Sequence, residues 1–297
     1  MQFKKQWFSF VAILALGAVL VGCGTTKAAA HKQLNVVASV DFYGQVAKAV
    51  AGDHGRVNAI INDPNVDPHD FTPTAAVGKQ VAKADVVVDN GAGYDGWMNK
   101  LVKGSGGDIA TVSAAQVVGV KDGENEHIWY KPQTMPAMAN ALAKEFGRLD
   151  KAHKADYQQN AKAYIASLRP LTTLIAKLKA NANGKKVAVS EPVFVNALKH
   201  LGYQVSDMHF ANTIEEGTDP STSDIRQLEA DIKAKQIAFF VQNTQVQSKI
   251  VDNLVKKCRA AGIPVLKVTE TLPANKTYVE WMTAQYRALA KIQAAEQ

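Results

Sequence analysis

Asn35-Val36-Val37-Ala38-Ser39-Val40 is followed, one residue on, by Phe42-Tyr43-Gly44-Gln45-Val46-Ala47-Lys48-Ala49-Val50-Ala51. The first run is rich in β-branched residues and too short for a helix. The second has apolar residues three and four apart, the spacing of a helix face. Read outward from this pair, the alternation continues. Residues 56–61 form a second strand, 74–84 a helix and 85–89 a third strand carrying Val86, Val87 and Val88. Near-continuous Val and Ile runs separated by helices indicate parallel strands covered on both faces. The fold class expected is therefore α/β, with two Rossmann-like lobes.

The first lobe is expected to close near Asp150. Beyond it Tyr157, Ala161, Tyr164, Leu168, Leu171, Ile175 and Leu178 recur at intervals of three and four. They make one apolar stripe over about six helical turns, with a kink expected near Leu168 because Pro170 lies inside it. Asn181-Ala182-Asn183-Gly184 is a good terminator. The alternation then restarts, with strands at 186–190, 203–208, 237–242 and 264–269. Helices are expected at 193–201, 223–235 and 248–261, and a C-terminal amphipathic helix from Tyr278. Ser221 or Ser223 is expected to cap the helix after Asp219-Pro220. The boundaries that follow are 34–152 for the N-terminal lobe, 153–182 for a linking helix and 183–297 for the C-terminal lobe.

The start of the chain reads differently. Lys4 and Lys5 precede an uncharged apolar stretch from Trp7 to Val21, which ends in Leu20-Val21-Gly22-Cys23. A basic start, a short apolar core and a small residue at the cut describe a secretory signal. The run is shorter than the roughly 20 residues that a spanning helix needs. A small residue followed at once by Cys resembles the bacterial lipobox. On that resemblance residues 1–22 are a signal peptide, Cys23 is the lipid-bearing mature N-terminus, and residues 23–33 are a tether to the membrane. The body is then expected to be extracytoplasmic.

Net charge is +7, with 34 basic and 27 acidic residues; removal of Lys4 and Lys5 lowers it by two. The excess is spread along the chain, with no Arg-rich block interleaved with aromatics, so nucleic acid is a poor partner. Of the two cysteines, lipidated Cys23 could not pair with Cys258. Cys258 shares a helix face with Ile250 and Leu254 and reads as a buried core thiol.

In open α/β sheets ligands bind beyond the carboxyl ends of the strands. Two carboxylates stand there in the second lobe: Glu191, directly after Val187-Ala188-Val189-Ser190, and Glu270, directly after Val265-Leu266-Lys267-Val268-Thr269. In the first lobe His69 lies in the loop after residues 56–61, and His127 lies in a later loop. Neutral imidazole and ionised carboxylate together suit a divalent transition metal held between lobes. Taken singly, each residue has a plainer reading: a loop His is usually a surface residue, and Glu191 before Pro192 could simply open a helix.

The surrounding motifs are more specific. Pro68-His69-Asp70-Phe71-Thr72-Pro73, Glu126-His127-Ile128-Trp129, Ser190-Glu191 and Thr269-Glu270-Thr271-Leu272 resemble, in order, the four ligand segments of the metal-binding lipoproteins of bacterial ABC importers. This is the cluster that carries manganese or zinc. The resemblance runs from about Leu34 onward. It implies two parallel-sheet lobes joined by a rigid helix, a metal in the cleft held by His69, His127, Glu191 and Glu270, and an ABC permease as partner to a monomeric, membrane-anchored carrier. The sequence departs from the family at Glu270, where Asp is commoner, and lacks the long His-rich loop of many zinc-specific members. Two carboxylates opposite two imidazoles lean toward Mn²⁺ over Zn²⁺. His31, His54, His153, His200 and His209 fall outside this set; of these, His209 follows a strand.

Two other classes use the same features. A metal-dependent hydrolase would use the same His and Glu residues, but it needs an open metal position and a nearby base, and no H-E-x-x-H motif is present. A surface adhesin is compatible with anchoring and leaves no signature to read. The chain is expected not to be an enzyme.

Overall fold

Two four-stranded parallel sheets of the same strand order organise the computed structural model, which describes residues 33–295. The expected signal peptide, the expected lipid-attachment residue Cys23 and His31 lie outside the described residues. In the first half, β1 (Leu34–Val40), α1 (Asp41–Ala51), β2 (Gly55–Ile61), α2 (Ala75–Val81) and β3 (Val86–Asp89) follow the expected alternation. The sheet order is β2-β1-β3 with β4 (Ala110–Ser113) at the edge. Val36, Val37, Ala38, Val86, Val87 and Val88 are fully buried, as parallel strands covered on both faces require.

The stretch after β3 holds more order than its sequence suggested. α3 (Gly96–Gly104), β4, α4 (Ala114–Val118) and α5 (Thr134–Leu149) complete this half. Gly91 has φ +72°, and a Cβ there would lie 2.6 Å from Ser113 Oγ. The chain turns beside β4 at a point that only glycine fits.

The long apolar stripe is two helices rather than one. α6 (Lys154–Ser167) and α7 (Arg169–Asn181) break at Leu168. Pro170 supplies the reason: it has no N–H to give the Ala166 carbonyl, and its ring crowds that turn. The second half then builds β5 (Lys186–Val189), α8 (Val195–Leu201), β6 (Gln204–Ser206), α9 (Met208–Glu215), α10 (Thr222–Lys233), β7 (Phe240–Asn243), α11 (Lys249–Ala260), β8 (Val265–Val268) and α12 (Tyr278–Ala295). Its sheet order is β6-β5-β7-β8. Ser221 caps α10 by accepting from Asp224 N–H.

The strand expected at 203–208 is shorter than its sequence suggested. Asp207 takes a left-handed conformation (φ 54°), and its side chain accepts from Phe210 N–H, starting α9 at Met208. Asp is among the residues that tolerate this backbone and also cap a helix, so the chain turns out of the sheet there. His209 is consequently on an exposed helix turn, where Nδ1 meets Asp224 at 2.8 Å.

One contiguous apolar core runs through both halves, from Val36 and Phe42 to Trp281 and Leu289. A smaller cluster lies between β7, α10 and α11 and includes buried Cys258. Tyr278 Oη donates to the Trp129 carbonyl (2.6 Å) and Tyr130 Oη to the Thr269 carbonyl (2.5 Å), so the two halves are also tied by buried hydroxyls. Among the described residues no helix is long and apolar enough to cross a membrane.

Candidate metal centre

Three loops at the carboxyl ends of β2, β5 and β8 and the loop between α4 and α5 meet between the sheets. The loop after β2 bends at Asp67, whose carboxylate accepts from His69 N–H at 2.8 Å. This side-chain turn presents His69, whose imidazole is about one third exposed, with its edge against the Tyr94 ring.

The loop between α4 and α5 carries His127, and a set of amides holds it. Asn125 Oδ1 accepts from His127 N–H (3.1 Å), and Asn90 Nδ2 donates to the Glu126 carbonyl (3.0 Å). From the second half, Asn196 Nδ2 donates to the His127 carbonyl (3.0 Å) and to Asn125 Oδ1 (2.7 Å). The His127 ring is fully buried between Tyr94 and Trp129. Neither ring nitrogen has a hydrogen-bond partner among the described residues. Burial, reinforced by nearby His69, pushes its pKa down to about 3, so both a lone pair and a fixed ring are available.

Glu191 follows β5, and Asn243 Nδ2, at the end of β7, donates to its Oε2 at 2.7 Å. Glu270 follows β8. Its N–H and that of Thr271 both donate to Gln245 Oε1 (2.6 and 3.1 Å). Gln245 Nε2 reaches across to the Pro64 carbonyl (2.6 Å) and also donates to the Thr271 hydroxyl. One side chain from the β7–α11 loop thus fixes the Glu270 loop to the His69 loop.

The structure brings His69, His127 and Glu270 together: one ligand atom from each lies within 4.8 Å of the others. His69 Nε2 is 3.7 Å from Glu270 Oε1. Glu191 lines the same cavity of about 370 Å³, with His69, Glu215 and Glu270, but is turned toward Asn243. Sequence reasoning missed Glu215, at the last turn of α9, and Glu126. Glu215 Oε1 lies 3.4 Å from His127 Nε2, and Glu126 Oε1 lies 3.9 Å from His69 Nε2. Glu126 stands beside His127 in its motif, where only the imidazole reads as a ligand. Glu215 stands beside Glu216 in a segment where the sequence predicts no helix, so nothing local marks it.

Clustered carboxylates with little water favour their neutral forms. Burial first, then Asp67, pushes Glu270 up to about 8. Burial, then Glu126, pushes Glu215 up to about 9. Burial also raises Glu191 to about 7, against the hydrogen bond from Asn243. Imidazole nitrogens and carboxylate oxygens, desolvated and gathered without a Lys or Arg among the cavity-lining residues, are a donor set for a divalent cation. A site that raises its carboxylate pKa values by burial first and by mutual repulsion second gives a cation strong reason to replace the protons.

Comparison with known proteins follows from this geometry. Residues 36–292 match the family described as zinc-uptake complex component A, periplasmic (ZnuA). An iron ABC transporter substrate-binding lipoprotein, MtsA of Streptococcus pyogenes serotype M1, is 30% identical over 279 residues, covering 85% of this chain and 86% of its own. The manganese ABC transporter substrate-binding lipoprotein PsaA of Streptococcus mitis is 31% identical over 234 residues, 72% of this chain and 75% of its own. Among solved structures, the periplasmic zinc-binding protein TroA of Treponema pallidum superposes with a TM-score of 0.73 at 17% identity, covering 88% of this chain and 99% of that one.

Proposed function

The chain belongs to the ZnuA family of metal-uptake binding proteins, and from that membership we propose that it is an extracytoplasmic carrier that captures Mn²⁺ or Zn²⁺ and delivers it to an ABC importer permease. Members of this family are substrate-binding components, not enzymes. Ligand capture and release is the chemistry required of them.

The observation that carries the reading is the meeting of two imidazoles from the first half with a carboxylate from the second, within 4.8 Å, at loops braced from both sides. His69, His127 and Glu270 are the direct ligands in this proposal. Glu191 is the fourth, joining by a side-chain turn away from Asn243 as the ion pulls the two halves onto itself. Glu215, beside His127, is the carboxylate that exchanges its proton as the cation enters. Mn²⁺ is the preferred cargo, since anionic oxygens equal or outnumber imidazoles and the ion accepts more than four donors. Metal analysis of protein taken from its own cell envelope, without added salts, tests this. Manganese at about one ion per chain supports the reading, and metal-free protein that also takes up none on titration overturns it.

Anchoring completes the proposal. Cys23 carries the lipid, residues 1–22 are removed, and the carrier works as a monomer tethered beside its permease. Acyl chains bury CH₂ groups at about 0.8 kcal/mol each, enough for stable attachment when two chains are present. Cys23→Ala is expected to release the protein from the membrane fraction or to leave it unprocessed. A variant processed and anchored like the parent would exclude Cys23 as the attachment point.

A further inference from the structure

A second group of potential ligands lies at the other end of the first sheet. His54 closes the single 3₁₀ turn at Gly52–His54, just before β2. His153 ends the turn at Lys151–His153, just before α6, and Asp156 lies in the first turn of α6. The two imidazoles stack, with centroids 3.8 Å apart and planes 16° from parallel. His54 Nε2 is 3.1 Å from Asp156 Oδ2. One donor atom from each of the three residues lies within 4.8 Å of the others. The ligands of a tetrahedral ion with bonds of 2.0–2.1 Å are roughly 3.3 Å apart, so the spacing suits one ion once the two rings open out of their stack and aim their in-plane lone pairs at a common point.

The surroundings are arranged as metal-binding histidines require. His153 Nδ1 meets Asp150 Oδ2 at 2.6 Å, and Tyr157 Oη donates to the same carboxylate oxygen at 2.9 Å. A carboxylate partner keeps the proton on Nδ1, so Nε2 is the nitrogen that would bind the ion. Carboxylate–histidine–metal relays orient their rings in this way.

We propose that His54, His153 and Asp156 form a second metal site, separate from the cleft, that takes a borderline transition ion such as Zn²⁺ in preference to Mn²⁺. Two imidazoles and one carboxylate are a Zn²⁺ set, with too little anionic oxygen for Mn²⁺ to compete. The site is partly exposed: the side chains of His54 and Asp156 are 30% and 51% accessible. Water completes the shell, and the site is the weaker of the two. His54 precedes β2 and His69 follows it. Seven residues of strand at about 3.3 Å each separate the sites by roughly 20 Å, so one ion cannot serve both. An ion here clips the α1–β2 turn to the start of α6.

Metal-stripped full-length protein is titrated with Zn²⁺ against a chromogenic chelator, and separately with Mn²⁺ by calorimetry. Two Zn²⁺ equivalents and one of Mn²⁺ are expected. His54→Phe keeps an aromatic ring in the stack and removes the ligand; it is expected to lose one Zn²⁺ equivalent and keep Mn²⁺ binding and the apo melting point. Asp150→Asn is expected to weaken the second Zn²⁺ equivalent about 10–100-fold and leave the first alone. His69→Ala with Glu270→Gln is expected to keep the equivalent that His54→Phe removes, which separates this proposal from the reading of the cleft. A parent protein that takes a single Zn²⁺, or a folded His54→Phe protein that still takes two, overturns the second site. If His54→Phe does not fold, His153→Gln provides the same test.

Discussion

Glu270 sets a carboxylate oxygen 3.7 Å from His69 Nε2, and its burial decides how the site discriminates between ions. Its pKa near 8 means that a cation at neutral pH must displace a proton to use it. Glu270→Gln keeps the shape and removes the charge. Mn²⁺ affinity is expected to fall at least about tenfold, or about 1.4 kcal/mol, with a smaller loss for Zn²⁺, because the harder ion depends more on anionic oxygen. Glu270→His is expected to favour Zn²⁺ outright. Calorimetric titrations equal to the parent for both ions in both variants would remove Glu270 from the ligand set. At this scale the sequence was partly legible. His69, Glu191 and Glu270 could be named because each stands beyond a strand end in a specific motif, and His127 because of its motif alone. The turn of Glu191 toward Asn243 was not, since nothing local in Ser190-Glu191-Pro192 encodes a partner 52 residues away. Glu215 was hidden because its importance depends on where the end of α9 points.

At the level of elements, α9 depends on Asp207. Its carboxylate accepts from Phe210 N–H at 2.9 Å while its own backbone sits at φ 54°, and the helix it starts ends at Glu215 beside His127. Asp207→Ala removes the cap and forces alanine into a left-handed conformation. Together these are expected to cost about 2 kcal/mol, read as a lower denaturation midpoint. Asp207→Asn keeps both the cap and the tolerance for positive φ and is expected to stay within about 0.5 kcal/mol of the parent. Equal losses in the two variants would show that the charge, not the cap, matters. The same residue explains a misread boundary. Tyr203 and Val205 alternate as in a strand, Asp207 breaks that alternation, and the left-handed turn at Asp207 ends β6 at Ser206. The helices and strand between residues 96 and 149 were missed for different reasons. β4 has four residues and too few alternations to register, whereas α5 carries Met135, Met138, Leu142 and Phe146 at helical spacing and could have been read. The break at Leu168 was legible because proline acts locally.

For the molecule as a whole, stability and metal binding respond to pH in opposite senses. Glu191, Glu270 and Glu215 ordinarily titrate near 4.5, and the fold raises them to about 7, 8 and 9. Between those limits the folded chain holds protons that the unfolded chain has released. The contribution of these groups to metal-free stability is complete below about 4.5 and declines as pH rises through 7 to 9. His127 acts the other way. It is lowered from 6.5 to about 3, so its contribution is complete above about 6.5 and declines as pH falls toward 3. Metal-free protein is therefore expected to be most stable at mildly acidic pH. A bound cation removes the first penalty, because it takes the place of the protons and neutralises the same carboxylates. It adds RT ln(1 + [L]/Kd) to stability, and Kd tightens as the competing protons leave. The rise in melting temperature on adding Mn²⁺ is then expected to be larger at about pH 8 than at about pH 5.5. Binding is also expected to release protons, seen as a dependence of calorimetric heat on buffer ionisation enthalpy. A metal-induced shift that is the same or smaller at the higher pH, with no proton release, would mean that these carboxylates do not meet the ion. It would leave the two imidazoles to hold a cation without anionic help. Falling pH, on the expected behaviour, loosens the ion and stabilises the empty fold together, so the carrier releases its cargo without unfolding.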